Sequence, residues 1–144
     1  MKTVTILIVA IVCGSVGLTQ TPKVQVKSAK RTSAASGREM YVNYCASCHG
    51  ANAKGDGPAA MALKHPPADL TKLAASHGGK YPSDYVAKIL EEGTPMTSHG
   101  SSDMPVWGPV FRAVGTGGQE EVRLRIYNLN KYLASLNADN AMRH

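Results

Sequence analysis

Aromatic side chains are scarce in this chain: they form 6% of 144 residues, with a single Trp and a single Phe. A core so poor in rings either packs aliphatic side chains or is filled by something that is not protein. Charge is scarce too, at 18%, too little for a chain kept disordered by solvation, whereas 43% of hydrophobic residues suffices for a core. The length allows one ordinary domain. Three cysteines are an odd number and too few for a disulfide scaffold. Acids are missing from residues 1–36, which hold Lys2, Lys23, Lys27, Lys30 and Arg31; residues 37–144 hold the other eleven of the sixteen bases and all ten acids. The formal charge of +6 therefore belongs to the N-terminal stretch, and the body is close to neutral. No basic stripe interleaved with aromatics crosses the body, which excludes nucleic acid as a partner. No period-two alternation marks a strand, and there is no internal repeat.

What is present begins with Met1-Lys2-Thr3, a short positive start, and an apolar run from Val4 to Leu18 with Thr5 and Ser15 as its polar breaks. Fifteen helical residues span about 22 Å, short of the roughly 30 Å of bilayer hydrocarbon. That length fits the apolar region of an export signal, and Ser15-Val16-Gly17 places small residues where a signal peptidase reads. Residues 1–18 are expected to be a signal peptide. An uncleaved anchor is the alternative, and so is a lipid on Cys13, although bulky Val12 stands where lipidation wants a small residue. Residues 19–36 read as a flexible basic linker, residues 37–138 as the folded domain and residues 139–144 as a tail.

The domain's signals are helical. Tyr41, Tyr44, Cys45 and Cys48 fall on one face of a short helix. Gly55, Gly57 and Pro58 predict a loop, followed by one or two turns that His65-Pro66-Pro67 must end. Met40 and Met61 lie in helical patterns and are expected in the core. Ser83 reads as the N-cap of a helix carrying Val86, Ile89 and Leu90, with Gly93 as its C-cap. Thr94 to Gly108 reads as a polar loop. The longest helix, from Gln119 to Leu136, repeats Val122, Ile126, Leu129, Leu133 and Leu136 as a narrow apolar stripe, with Thr116-Gly117-Gly118-Gln119 as a capping box. The fold class is all-α, with long loops that need something to hold them.

Cys45-Ala46-Ser47-Cys48-His49 is C-x-x-C-H, the attachment pattern of a c-type haem. Two thiols three residues apart on a helical turn can each add to one vinyl group of the same porphyrin, and the adjacent imidazole then falls under the iron. Zinc would want a second ligand pair, and a thioredoxin-type dithiol would want a βαβ setting; a chance pentapeptide is the third alternative. The iron's sixth position has several candidates. Met104 sits in Ser102-Asp103-Met104-Pro105-Val106-Trp107-Gly108, where the following Pro holds it extended and aims its thioether from a loop. Met96 shares that loop; His65, His77, His99 or an open position are the other choices. A His/Met pair would raise the potential and leave no place for substrate, which implies electron transfer rather than catalysis.

These motifs resemble the class I monohaem cytochromes c, over about Gly37 to Leu136. Gly37 and Tyr41 stand eight and four residues before Cys45, Gly57-Pro58 follows the haem His, Met104-Pro105 is extended by Trp107-Gly108, and Leu129 and Tyr132 lie in the last helix. The resemblance implies a small fold wrapped around one covalently bound haem c and its iron, with His49 and Met104 as axial ligands. It implies that the first and last helices cross at Gly37 and that the Pro58 carbonyl accepts from His49. Tyr41 and Trp107 are expected at the haem pocket, with Tyr85 as a further candidate. The near-neutral body departs from the lysine-rich docking ring of mitochondrial members, while His65 to Leu70 and Gly115 to Gly118 are typical of bacterial ones.

The expected function is one-electron transfer to and from redox partner proteins by an exported, periplasmic monomer. The alternative is a haem subunit tethered at its N-terminus to the membrane or built into a larger oxidoreductase. A gas-binding protein or peroxidase with an open distal site is a third reading.

Overall fold

The computed structural model describes residues 29–93 and 104–141. Among them are helices and turns and no strand, so the all-α expectation holds. Helix α1 (Gly37–Met40), a π-helical turn (Tyr41–Cys45) and α2 (Ala46–His49) run on without a break. Three isolated 3-10 turns follow, at Ala60–Ala62, Leu70–Lys72 and Ala75–His77. Then come α3 (Ser83–Glu92), α4 (Trp107–Val114) and α5 (Gly118–Ala141). No helix among the described residues is long and apolar enough to cross a membrane.

Helix α5 is the spine, and α1, α3, α4 and the Leu70–Lys72 turn all pack on it. The stripe is buried at Val122, Ile126, Leu129 and Leu133 and half-buried at Leu136. Each such aliphatic side chain contributes about 1.5–3 kcal/mol when fully buried. Helix α1 crosses α5 at Gly37, where a Cβ would stand 2.1 Å from the Asn128 carbonyl oxygen and 2.8 Å from Tyr132 Cβ. Only a hydrogen fits there. Met40 and Tyr41 are fully buried beside the crossing, and the Tyr41 ring centroid lies 5.4 Å from that of Tyr132.

Polar groups flank the stripe on both sides. On one flank Arg125 donates to Thr32 O at 2.9 Å, to Thr32 Oγ1 at 3.1 Å and to Glu121 Oε1 at 2.7 and 3.0 Å. Asn128 donates to Ala34 O at 2.9 Å. Thr32 and Ala34 fall within the stretch read as linker, yet they are bonded into the body. On the other flank Asn130 donates to Ser83 O at 2.8 Å and accepts from the Tyr81 hydroxyl at 2.7 Å. Asn137 donates to Leu70 O at 2.9 Å and accepts from Ala74 N–H at 2.9 Å. The helix thus grips the N-terminal segment with one edge and the 70–83 loop with the other.

Several local expectations need correction. Ser83 is the first helical residue and Pro82 holds the N-cap position, because the Ser83 hydroxyl and carbonyl face Asn130 instead. The acid that caps α5 is Glu121, whose Oε2 accepts from Gly117 N–H at 2.6 Å and Thr116 N–H at 2.8 Å; Gln119 bonds Arg112. Trp107 and Gly108, read as loop, open α4, which buries Trp107, Phe111 and Val114. Met40 is core, but Met61 is 97% exposed, because its segment makes only one 3-10 turn with no face toward the core.

The Gly37→Ala variant should be destabilised by about 1–3 kcal/mol through overpacking, seen as a lower melting temperature in far-UV circular dichroism. A second prediction concerns acid. The Gly117 N–H, the Arg125 guanidinium and the Thr116 N–H bring the Glu121 carboxyl from its ordinary 4.5 down to about 2. A depressed carboxyl stabilises the fold above its unfolded-state value and loses that contribution as pH falls through the folded one. Glu121→Gln should therefore lower the urea midpoint at about neutral pH, and the gap to wild type should close as pH drops from about 4.5 toward about 2.

Candidate functional site

Cys48 and His49 lie at the C-terminal end of α2 and Cys45 just before it, where four backbone carbonyls lack intrahelical partners. The chain supplies donors to all four by turning back on the helix. Gly50 N–H donates to Ala46 O, Ala59 N–H to Ser47 O, Gly57 N–H to Cys48 O and Gly55 N–H to His49 O, at 2.8–3.1 Å. Gly57 must be glycine for this, since a Cβ would stand 2.4 Å from Ser47 O. Loop 50–59 is therefore a cap that fixes the backbone carrying the C-x-x-C-H pattern. The Tyr41 hydroxyl adds a bond to Gly50 O at 2.6 Å.

Against this end of α2 lies a cavity of about 630 Å³, within the range of roughly 300–1,000 Å³ usual for small-molecule and cofactor sites. Cys45, Cys48 and His49 line it, and so do Met104 and Trp107. The rest of its wall is largely apolar, with Leu70, Leu73, Val86, Leu90 and Leu133 among its residues. Tyr44 forms part of the wall with Trp107; their ring centroids are 5.6 Å apart, and Phe111 stacks behind both at 5.9 and 5.7 Å. The Tyr44 hydroxyl donates to Lys30 O and accepts from Thr32 Oγ1, so the N-terminal segment holds this ring in place.

His49 Nδ1 donates to Ala68 O at 3.0 Å. The ring proton is thereby placed on Nδ1, and Nε2 keeps its lone pair. Burial lowers the imidazole's pKa, partly offset by the Ala68 bond. The net effect favours the neutral ring, the form that binds a metal. Cys45 and Cys48 are not joined in a disulfide, and burial, with Cys48 close by, would push an unmodified Cys45 thiol up to about 12.

The structure thus brings together five of the seven residues singled out from the sequence: Cys45, Cys48, His49, Met104 and Trp107. Two stand elsewhere. Pro58 is exposed and away from the cavity, because Gly57-Pro58 wraps the end of α2; the acceptor for the imidazole is Ala68. Tyr41 lies at the α1–α5 crossing and supports the cavity only from behind. Tyr85, His65 and His77 also line the cavity, whereas Met96 and His99 lie outside the described residues. Among the described residues no three His, Cys, Asp or Glu side chains converge on a metal position. Sequence reasoning missed Ala68, which acts through its carbonyl and leaves no signal in its residue type. It also missed Asn130 and Asn137, whose seven-residue spacing on one edge of the stripe was there to be read.

The arrangement offers two thiols on one turn, a neutral imidazole with an open Nε2, a thioether and an apolar enclosure. That donor set fits a porphyrin held by thioether bonds. The family model described as "Cytochrome C oxidase, cbb3-type, subunit III" matches residues 32–114, more than half the chain. Searches of curated proteins and of solved structures found no match. The matched stretch runs from Thr32, the partner of Arg125, to the last residue of α4, and contains both the C-x-x-C-H pattern and Met104. The chain belongs to this family of c-type cytochrome domains, and its cofactor is a covalently bound haem c with its iron.

Proposed function

We propose that the protein is a one-electron carrier with His49 and Met104 as the axial ligands of its iron, serving an exported respiratory or oxidative electron-transfer chain. One observation carries this reading: the Cys45 and Cys48 thiols, the His49 imidazole and the Met104 thioether line the same apolar cavity. Haem, when bound, supplies the one-electron couple. The chain's residues do the rest. Cys45 and Cys48 fix the orientation of the ring, and a thioether, which has no proton to lose, suits the buried position that disfavours a Cys45 thiolate. Ala68 orients His49 and raises its basicity. Met104 is a soft, weakly basic donor that favours ferrous iron, and the apolar wall of Tyr44, Trp107 and Leu70 keeps water away. With His49 and Met104 both engaged by the iron, the site would offer a substrate no place at the metal.

The partners in this reading are redox proteins that dock on a near-neutral body, and the protein is a monomer in the periplasm, delivered there by residues 1–18. The family's description as an oxidase subunit favours a second reading, a haem subunit tethered to or part of a larger membrane or periplasmic oxidoreductase. Fractionation separates the two. A free carrier leaves with the soluble extract and elutes as a monomer, whereas a subunit stays with its partners.

Intact mass spectrometry should give the polypeptide plus one haem that survives acid–acetone extraction, and replacement of Cys45 or Cys48 by Ala should leave one thioether or an unstable product. A wild-type mass without that increment, from cells competent in cytochrome maturation, would end the haem reading. Met104→Ala should abolish the weak sulfur-to-iron band of the ferric protein, lower the potential and allow carbon monoxide to bind the ferrous form. Met96→Ala should leave all three as in wild type. Survival of the band in Met104→Ala would pass the sixth position to another residue.

A further inference from the structure

We propose that Asn137 is a positioning residue for His49, acting through the backbone of residues 68–74. The proposal rests on the reading of His49 as proximal ligand. The imidazole's partner is a main-chain carbonyl, Ala68 O. No side chain at position 68 can hold that acceptor in place, so it stands where it does only if its loop does. The loop follows His65-Pro66-Pro67, and Ala68 itself is exposed.

Two kinds of bond fix it. Asp69 closes the Leu70–Lys72 turn locally, accepting from Thr71 N–H at 3.0 Å and Thr71 Oγ1–H at 2.6 Å. Leu70 N–H donates to Ala53 O at 2.8 Å. The tie to the spine of the molecule is Asn137. Its Nδ2 donates to Leu70 O and to Leu133 O, each at 2.9 Å, and its Oδ1 accepts from Ala74 N–H at 2.9 Å. At 4% exposure, its side-chain amide has both nitrogen protons and its oxygen engaged. A single amide therefore brackets the turn from both sides, and one end of the bracket lies two residues from Ala68. Leu70 and Leu73, inside the bracket, line the cavity. Asn137 stands outside the stretch matched by the family model.

Asn130 provides a built-in control. It is the same residue type, buried to 6% exposure, seven positions earlier on the same edge of α5. It holds Tyr81 and Ser83, both outside residues 68–74.

The test uses the haem-loaded protein. Asn137→Leu leaves Leu70 O and Ala74 N–H without partners and loosens the Ala68 acceptor, so His49 becomes a weaker donor. The reduction potential should rise, and His49 Nδ1–H should exchange with solvent about tenfold faster, the factor expected for loss of one neutral hydrogen bond. Asn130→Leu should lower the melting temperature without either change. Asn137→Ala, which leaves room for a water at the orphaned groups, should shift both values in the same direction and serves where the Leu variant does not fold. An Asn137 variant with a lower melting temperature but an unchanged or lower potential and wild-type exchange overturns the proposal, as does an Asn130→Leu variant that moves both values as far. A wild-type chain without haem would overturn the ligand reading and this inference with it; a haem-loaded protein with an unmoved potential overturns the positioning role alone.

Discussion

Side chains on the two edges of α5 hold the parts of the molecule that have no regular structure of their own. Buried backbone N–H and C=O groups must find partners, and loops cannot supply them as helices and sheets do. Here Arg125 and Asn128 serve the segment at Thr32 and Ala34, while Asn130 and Asn137 serve the loop from Leu70 to Ser83. Each neutral bond is worth a net of about 0.5–1.5 kcal/mol, but orphaning a buried group costs about 1–3 kcal/mol, so the arrangement is better described by what its loss would leave unpaired. Arg125 carries the larger stake, a charge at 3% exposure whose carboxylate partner among the described residues is Glu121.

The same logic operates at the cofactor site. The carbonyls that end α2 are met by loop 50–59, and the imidazole beyond them is met by the loop at Ala68. Side chains that do chemistry thus sit on a helix end whose every backbone group is answered. The scarcity of rings fits this plan. Tyr44 and Trp107 stand on the wall of the cavity with Phe111 behind them, Tyr41 and Tyr132 pack at the helix crossing, and the cavity itself is of a size to take a cofactor.

The elements legible in the sequence were those written in side-chain chemistry and spacing. C-x-x-C-H, Met104 before a proline and the stripe of α5 are patterns of residue type, the glycine at the helix crossing was implied by the resemblance, and each has its counterpart in the structure. What escaped was carried by main-chain atoms or by context. Ala68 contributes a carbonyl, which any residue has. Pro58 was named as the acceptor only by the resemblance to class I cytochromes c, but chain reversal at Gly57 assigns that stretch to capping. Ser83 looked like a cap because serine often is one; here tertiary bonding to Asn130 claims its hydroxyl. The start of α4 was hidden because the loop was read through to Gly108, although the helix opens at Trp107 and proline, here Pro109, is tolerated in a first turn.

The grip of α5 also imposes an order on the life of the chain. Arg125 reaches back 93 residues to Thr32 and Asn137 reaches back 67 to Leu70. Loops of that length close late, because nothing rewards them until both ends exist. Cys45 and Cys48 are synthesised long before the helix that encloses their cavity, and in the finished fold Cys45 is buried at 8% exposure. Cys45 faces the cavity, and Leu133 brings α5 into the same wall, so the docking of α5 completes the enclosure around the thiol.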